Sequence, residues 1–218
     1  MPVTVLWAAK GGSGTTVVAT ALALLCGTRT PNGALLVDLV GDVPPVLGLP
    51  EPPGPGIADW LAAPDDVGAD ALARLAIDAV PGLAVVPAGG AHDPPRAGRG
   101  VALAAALAGE ARTVVVDAGS SPAGAALDLV AGASTSLLVL RPCYLALRRA
   151  VAAPVRPSGV VLVREPGRAL GRHDVEDALQ VPVRAEIDVE PAVARAVDAG
   201  LLSARLPRSL AHGLRHAA

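Results

Sequence analysis

Seven consecutive residues near the start of the chain, Lys10-Gly11-Gly12-Ser13-Gly14-Thr15-Thr16, have the types and spacing to hold a phosphate group. Three glycines let the backbone curl until several N–H groups point at one anion. A helix that opens directly after them adds its own unpaired N–H groups and the positive end of its dipole. Thr15 or Thr16 can cap that helix, and a hydroxyl just inside it can reach a Mg²⁺ ion. Lys10 is the only lysine in 218 residues; the other seventeen basic residues are arginines. A lysine brings a compact point charge to a crowded phosphate, where an arginine fork reads planar partners. The competing reading of the stretch is a glycine-rich turn with a solvated lysine.

Two acids stand at the ends of apolar runs. Ala34-Leu35-Leu36-Val37-Asp38 and Thr113-Val114-Val115-Val116-Asp117 both read as buried parallel strands that finish in a carboxylate. In an open α/β sheet the carboxyl ends of the strands are where ligands bind. Asp117 in that place can hold Mg²⁺ through its water shell, although a strand ending in Asp before a helix is also a common cap. Asp42 follows Asp38 closely and precedes Pro44-Pro45; a cap or loop role competes with a catalytic one.

These residues resemble the ParA/MinD superfamily of P-loop ATPases, whose deviant Walker A loop reads Lys-Gly-Gly-x-Gly-Lys-Thr/Ser. The resemblance extends over nearly the whole chain. It implies an ATP·Mg²⁺ site and a nucleotide-sandwich homodimer, with Lys10 reaching across to the partner. It assigns nucleotide binding to Lys10, Gly11, Gly12, Ser13, Gly14, Thr15 and Thr16, and the metal to Thr16 and Asp117. Asp38, with Asp42, matches the switch I segment, and Arg164 matches an arginine of the nucleotide-binding strand end. Departures accompany the match. Thr15 occupies the place of the loop lysine, Val40 that of the water-positioning acid, and the asparagine that reads adenine is missing beside Arg164. Loops with Ala or Thr in place of that lysine resemble the TadZ/CpaE branch, which positions pilus machinery. The implied activity is at most slow ATP hydrolysis.

The elements that must position these groups follow from pattern. Val3 to Ala8 is an apolar strand before the loop, and the run from Val17 to Leu25 is a long apolar helix. Residues 50–56 are proline-rich and turn-forming. A helix with Trp60 as a packed anchor comes next, then a helical pattern over residues 70–79 and a strand at residues 83–87. Residues 88–100 form a surface loop near the site, a candidate lid. Further strands are expected at residues 135–140, 158–163 and 181–185, with helices between them. The alternation of strand and helix implies a doubly wound, mostly parallel α/β sheet of about seven strands with helices on both faces. Residues 1–200 read as one domain and 201–218 as a helical tail.

Composition narrows the function. Net charge is −2, with no excess of basic groups to predict specific nucleic-acid binding. Residues 1–140 hold six basic and twelve acidic groups, and 141–218 hold twelve arginines and eight acids, a shift that usually marks a solvated face. Cys26 and Cys143 lack metal-ligand spacing and fit a reducing cytoplasm. No metal pattern joins His92, His173, His212 and His216. No apolar run reaches the ~18–20 residues that span a bilayer, and no signal peptide is evident. The tail places Leu206, Leu210 and Leu214 on one stripe among arginines. Pro207 and Gly213 interrupt it, so a packed or frayed helix is favoured over a membrane-surface helix. The reading is a nucleotide-dependent dimeric positioning factor with a protein partner in a pilus or secretion system. A scaffold that no longer uses nucleotide, and an amidase- or synthetase-type enzyme of the same class, are the alternatives.

Overall fold

The computed structural model describes residues 3–90, 93–215 and 217. His92 and His216, and with them Met1, Pro2 and the last residue of the tail, lie outside the described residues. The first strand, β1 (Val3–Ala8), leads through the glycine loop into α1 (Thr15–Arg29). Next come β2 (Ala34–Asp38), three short helices α2 (Val43–Leu47), α3 (Ile57–Ala62) and α4 (Ala69–Ala73), and the strands β3 (Ile77–Val80) and β4 (Leu83–Val86). The remainder alternates: α5 (Arg99–Ala108), β5 (Thr113–Ser120), α6 (Ala125–Gly132), β6 (Thr135–Leu140), α7 (Tyr144–Val151), β7 (Gly159–Arg164), α8 (Arg172–Leu179), β8 (Val183–Asp188), α9 (Pro191–Asp198) and α10 (Arg208–Gly213).

These strands form one eight-stranded sheet in the order β3-β4-β2-β5-β1-β6-β7-β8, parallel except for the β3–β4 pair. Successive side chains of a strand alternate between faces, so apolar residues at every position demand cover on both sides. In β1, Val5 and Trp7 enter the core formed with α3 to α8, whereas Leu6 enters the one formed with α1, α2, α9 and α10. α1 is apolar around most of its circumference, and a helix of that kind must be buried. Val18, Ala19, Leu22 and Cys26 are all enclosed beneath the sheet.

One expectation fails locally. The helical spacing over residues 70–79 ends after one turn at Ala73, and Ile77–Val80 is instead an edge strand, antiparallel to β4. Pro81 and Gly82 (φ +82°) form a tight turn that brings Val80 opposite Leu83. Proline followed by a glycine at positive φ suits a type II turn, and that turn outweighs a weak helical pattern. The sheet therefore has eight strands rather than about seven.

Two side chains brace the α3 layer. Trp60 is buried and donates Nε1–H to the Gly68 carbonyl at 3.1 Å. The guanidinium of Arg99, itself buried, stacks on the Trp60 ring at 3.5 Å and donates to the carbonyls of Trp60 and Val67. The start of α3 is tied to the chain leaving β4, with Ile57 N–H donating to the Pro87 carbonyl and Ala58 N–H to the Ala88 carbonyl. The tail folds onto the domain: Leu202, Leu210 and Leu214 are buried among α1, α9 and β8 side chains. No helix among the described residues is long and apolar enough to cross a membrane.

Candidate functional site

The carboxyl ends of β1, β2, β5 and β6 converge on the glycine loop. Gly12 (φ +78°) and Gly14 (φ +87°) take left-handed conformations, and these turn the chain from β1 into α1. A side chain at either position would strain the backbone, which is why only glycine serves here. Ser13 is buried and closes the loop, its hydroxyl donating to the Lys10 carbonyl at 2.9 Å. Gly14 occupies the N-cap position of α1 and no side chain caps the helix. Neither Thr15 nor Thr16 therefore serves as the cap; Thr15 is already the first helical residue. The first-turn N–H groups, with the positive helix end behind them, are left facing the loop, as an anion requires.

Asp117 projects from β5 beside that helix end with no solvent exposure. Its Oδ1 accepts the Gly119 N–H at 3.0 Å, while Oδ2 has no hydrogen-bond partner among the described residues. Burial pushes its pKa up to about 6, against the Thr16 hydroxyl and the Gly119 N–H, which pull it down, and with Asp38 and Asp42 adding repulsion. A buried carboxylate oxygen left without a partner is costly unless something positive completes it, and the Thr16 hydroxyl acts on the same carboxylate. The pair Thr16 and Asp117 fits a hard divalent cation such as Mg²⁺, which takes oxygen donors of this kind.

Asp38 has the opposite environment. It is also fully buried, and its carboxylate accepts N–H groups from Val40 (2.9 Å), Gly41 (2.7 Å) and Val43 (3.0 Å). Burial raises its pKa and these three bonds oppose the rise. Asp38 thus shapes the loop that follows β2. Asp42 is exposed at the N-cap of α2, without a side-chain capping bond. Val40 lies over Gly119, whose Cβ, were there one, would meet Val40 Cγ2 at 2.7 Å.

Lys10 is half-buried, its ammonium 3.3 Å from the Gly11 carbonyl. Arg164 is engaged away from the loop: it forms a fork to Asp188 on β8 at 2.8 and 3.0 Å and an ion pair with Glu186. The arginine that meets the loop is Arg141, at the end of β6, donating Nη1–H to the Gly12 carbonyl at 3.2 Å. Nothing in its local sequence marks it as a site residue. The available signal was its place just after a strand, before Pro142, but only the pairing of β6 with β1 puts that strand end beside the loop. A cleft of about 210 Å³ runs from Gly12 and Gly14 along α1 to α9, and its lining includes Val17, Val163, Ile187, Val189 and Val193. It is apolar and adjoins the loop. A flat heterocycle attached to a phosphate chain fits that arrangement.

No protein-family model matches the chain, and no curated protein matches it in sequence. Solved structures match the fold over nearly their whole length. A ParA family ATPase from Chlorobium tepidum superposes with a TM-score of 0.78 at 18% identity, covering 98% of this chain and 96% of that one. The septum site-determining protein MinD from Pyrococcus horikoshii, solved with Mg-ADP, gives 0.76 at 19% identity, covering 98% and 93%. The cell division ATPase MinD of Pyrococcus furiosus gives 0.74 at 22% identity over the whole of both chains. At these identities the likeness establishes the fold. The chain has the α/β architecture of ParA/MinD-type P-loop ATPases.

Proposed function

We propose that this protein is an ATP·Mg²⁺-binding switch of the ParA/MinD type, dimeric when loaded, with slow or absent hydrolysis. The observation that carries the reading is the orphaned Oδ2 of buried Asp117, set against Thr16 at the mouth of an uncapped, glycine-lined helix end. Gly11, Gly12, Ser13, Gly14 and Thr15 cradle the phosphates with backbone N–H groups, and the apolar cleft beside α9 takes the base. Thr16 and Asp117 would hold the metal, which supplies charge neutralisation between neighbouring phosphates. Lys10, the sole lysine, sits on the half-exposed rim of the loop, where a second chain can meet it. Arg164, expected at the nucleotide, contributes instead through Asp188, which lines the base cleft.

Weak hydrolysis follows from the groups that would orient an attacking water. Asp38 has its carboxylate committed to three backbone amides, Val40 is apolar, and Thr15 brings no charge to the phosphates. A protein of this kind signals by occupancy and dimerisation rather than by turnover. The loop chemistry, with Thr15 in place of the lysine, supports a role like that of the TadZ/CpaE branch, placing a pilus or secretion apparatus through a protein partner in the cytoplasm.

The test is calorimetric titration with ATP·Mg²⁺, with mass followed by light scattering, for the wild type and Lys10→Ala. The expected result is binding with doubling of mass, and loss of the doubling in Lys10→Ala. Absence of binding at millimolar ATP would leave a nucleotide-free scaffold as the function of the fold.

A further inference from the structure

The loop offers dipoles to a phosphate chain but little charge. Thr15, the first residue of α1, is neutral, and the Lys10 ammonium lies against the Gly11 carbonyl. Arg141 is the cation built into the loop's flank. Besides its bond to the Gly12 carbonyl, it donates Nη2–H to Glu165 Oε1 at 3.0 Å. Glu165 does not neutralise it alone, because its other oxygen accepts Arg168 Nε–H at 2.8 Å. The trio Arg141, Glu165 and Arg168 therefore carries net positive charge beside the loop. Arg141 also borders two cavities beside the loop: the apolar cleft, and another of about 300 Å³ whose lining includes Lys10, Gly11, Ser13 and Arg168.

We infer that Arg141 is the cation that binds the phosphate chain in this site, supplying from β6 the charge that Thr15 withholds from the loop. The assignment rests on the nucleotide reading above. A guanidinium has five N–H donors in a planar fork, and two are engaged here, leaving donors for a phosphate oxygen. The bond to the Gly12 carbonyl has a neutral acceptor. A phosphate oxygen is a charged one and displaces it with a shorter, stronger bond. Glu165, clamped by Arg168, keeps the guanidinium aimed while that exchange takes place. The side chain is 38% exposed, so a ligand can reach it without an opening motion.

The experiment measures dissociation constants for ATP·Mg²⁺ and for adenosine with the wild type, Arg141→Gln, and Arg141→Gln combined with Thr15→Lys. Thermal unfolding of each protein serves as the control for folding. Arg141→Gln is expected to weaken ATP·Mg²⁺ by about 10–100-fold, the range for a lost hydrogen bond to a charged group. Adenosine binding should stay within about threefold, below the effect of one such bond. Thr15→Lys in that background should recover most of the lost affinity, because it puts a cation back inside the loop. If Arg141→Gln binds ATP·Mg²⁺ like the wild type, or loses adenosine as steeply as ATP, the assignment to Arg141 is overturned while the nucleotide reading stands. If the wild type itself binds no ATP·Mg²⁺, the nucleotide reading falls and the assignment falls with it.

Discussion

Asp38 and Asp117 face each other across β2 and β5 as register partners, both without solvent exposure, yet one carboxylate is saturated and the other is half empty. Asp38 accepts three backbone N–H groups, whereas Asp117 accepts one, and its Oδ2 has no hydrogen-bond partner among the described residues. The difference separates a carboxylate whose bonds shape a loop from one with an oxygen left short of a partner, and it gives each a distinct response to mutation.

Asp117→Asn should stabilise the ligand-free protein at neutral pH. The folded-state pKa of Asp117 is raised from 3.8 to about 6, so the ionised form is the one the fold disfavours. The penalty is present in full above pH 6 and disappears as pH falls through 6 towards 3.8. A rise of about two pKa units corresponds to about 3 kcal/mol at most. Chemical denaturation at pH 7.5 should show Asp117→Asn more stable by a sizeable part of that amount, with the gap closing by pH 4. Added Mg²⁺ and nucleotide should stabilise the wild type and not the variant. Equal stability of the two proteins at pH 7.5 would mean that Asp117 is solvated.

Asp38→Ala acts in the other direction. It leaves the N–H groups of Val40, Gly41 and Val43 without their acceptor, Val43 lying in a fully buried position. The expected cost is about 2–4 kcal/mol, the scale for unsatisfied buried donors. Native-state hydrogen exchange should speed up at those three amides while the amides of β2 stay protected. Uniform acceleration across the sheet would point to general unfolding instead.

Gly48 and Gly200 make a close backbone crossing between the end of α2 and the chain leaving α9. A Cβ on Gly48 (φ +76°) would collide with the Gly200 carbonyl, whereas one on Gly54 (φ +103°) would enter open space. Gly54→Ala should cost only the strain of a positive φ, about 1 kcal/mol. Gly48→Ala should cost about 3 kcal/mol or more, because the backbone must shift as well. Thermal unfolding of the two variants side by side measures the difference; similar melting temperatures would refute the crossing.

Arg99→Met keeps the stem that packs on Trp60 but removes the donors to the carbonyls of Trp60 and Val67. With both carbonyls left short of a partner, a loss of about 2–4 kcal/mol is expected. Arg99→Lys should recover only part of it, since an ammonium cannot stack on the ring as a planar guanidinium does. Denaturation followed by tryptophan fluorescence reads both effects.

Much of the site was legible along the chain because its parts are local. Glycines at 12 and 14 announce a turn that needs left-handed backbone, and apolar runs ending in Asp38 and Asp117 announce buried strands that end at one edge. What escaped depended on neighbours distant in the chain. The pattern at residues 70–79 looked helical, yet the Pro81-Gly82 turn paired Ile77–Val80 with β4 instead. Nothing near Arg141 in the chain marks a site; the register of β6 on β1 carries it to Gly12. Arg164 looked available until the pairing of β7 with β8 set it opposite Asp188. The leucines of the tail could have faced a membrane, but Leu210 and Leu214 had a place among the side chains of α1 and β8.

The sequence by itself determined the glycine loop, the parallel α/β plan and the carboxylates at the strand ends, since backbone sterics and hydrophobic alternation act over a few residues. Only the tertiary structure decided which charges meet the loop and which of two identical carboxylates is left short of a partner. Charge and hydrogen-bond satisfaction depend on groups brought together by strand pairing, and pairing is a property of the whole sheet.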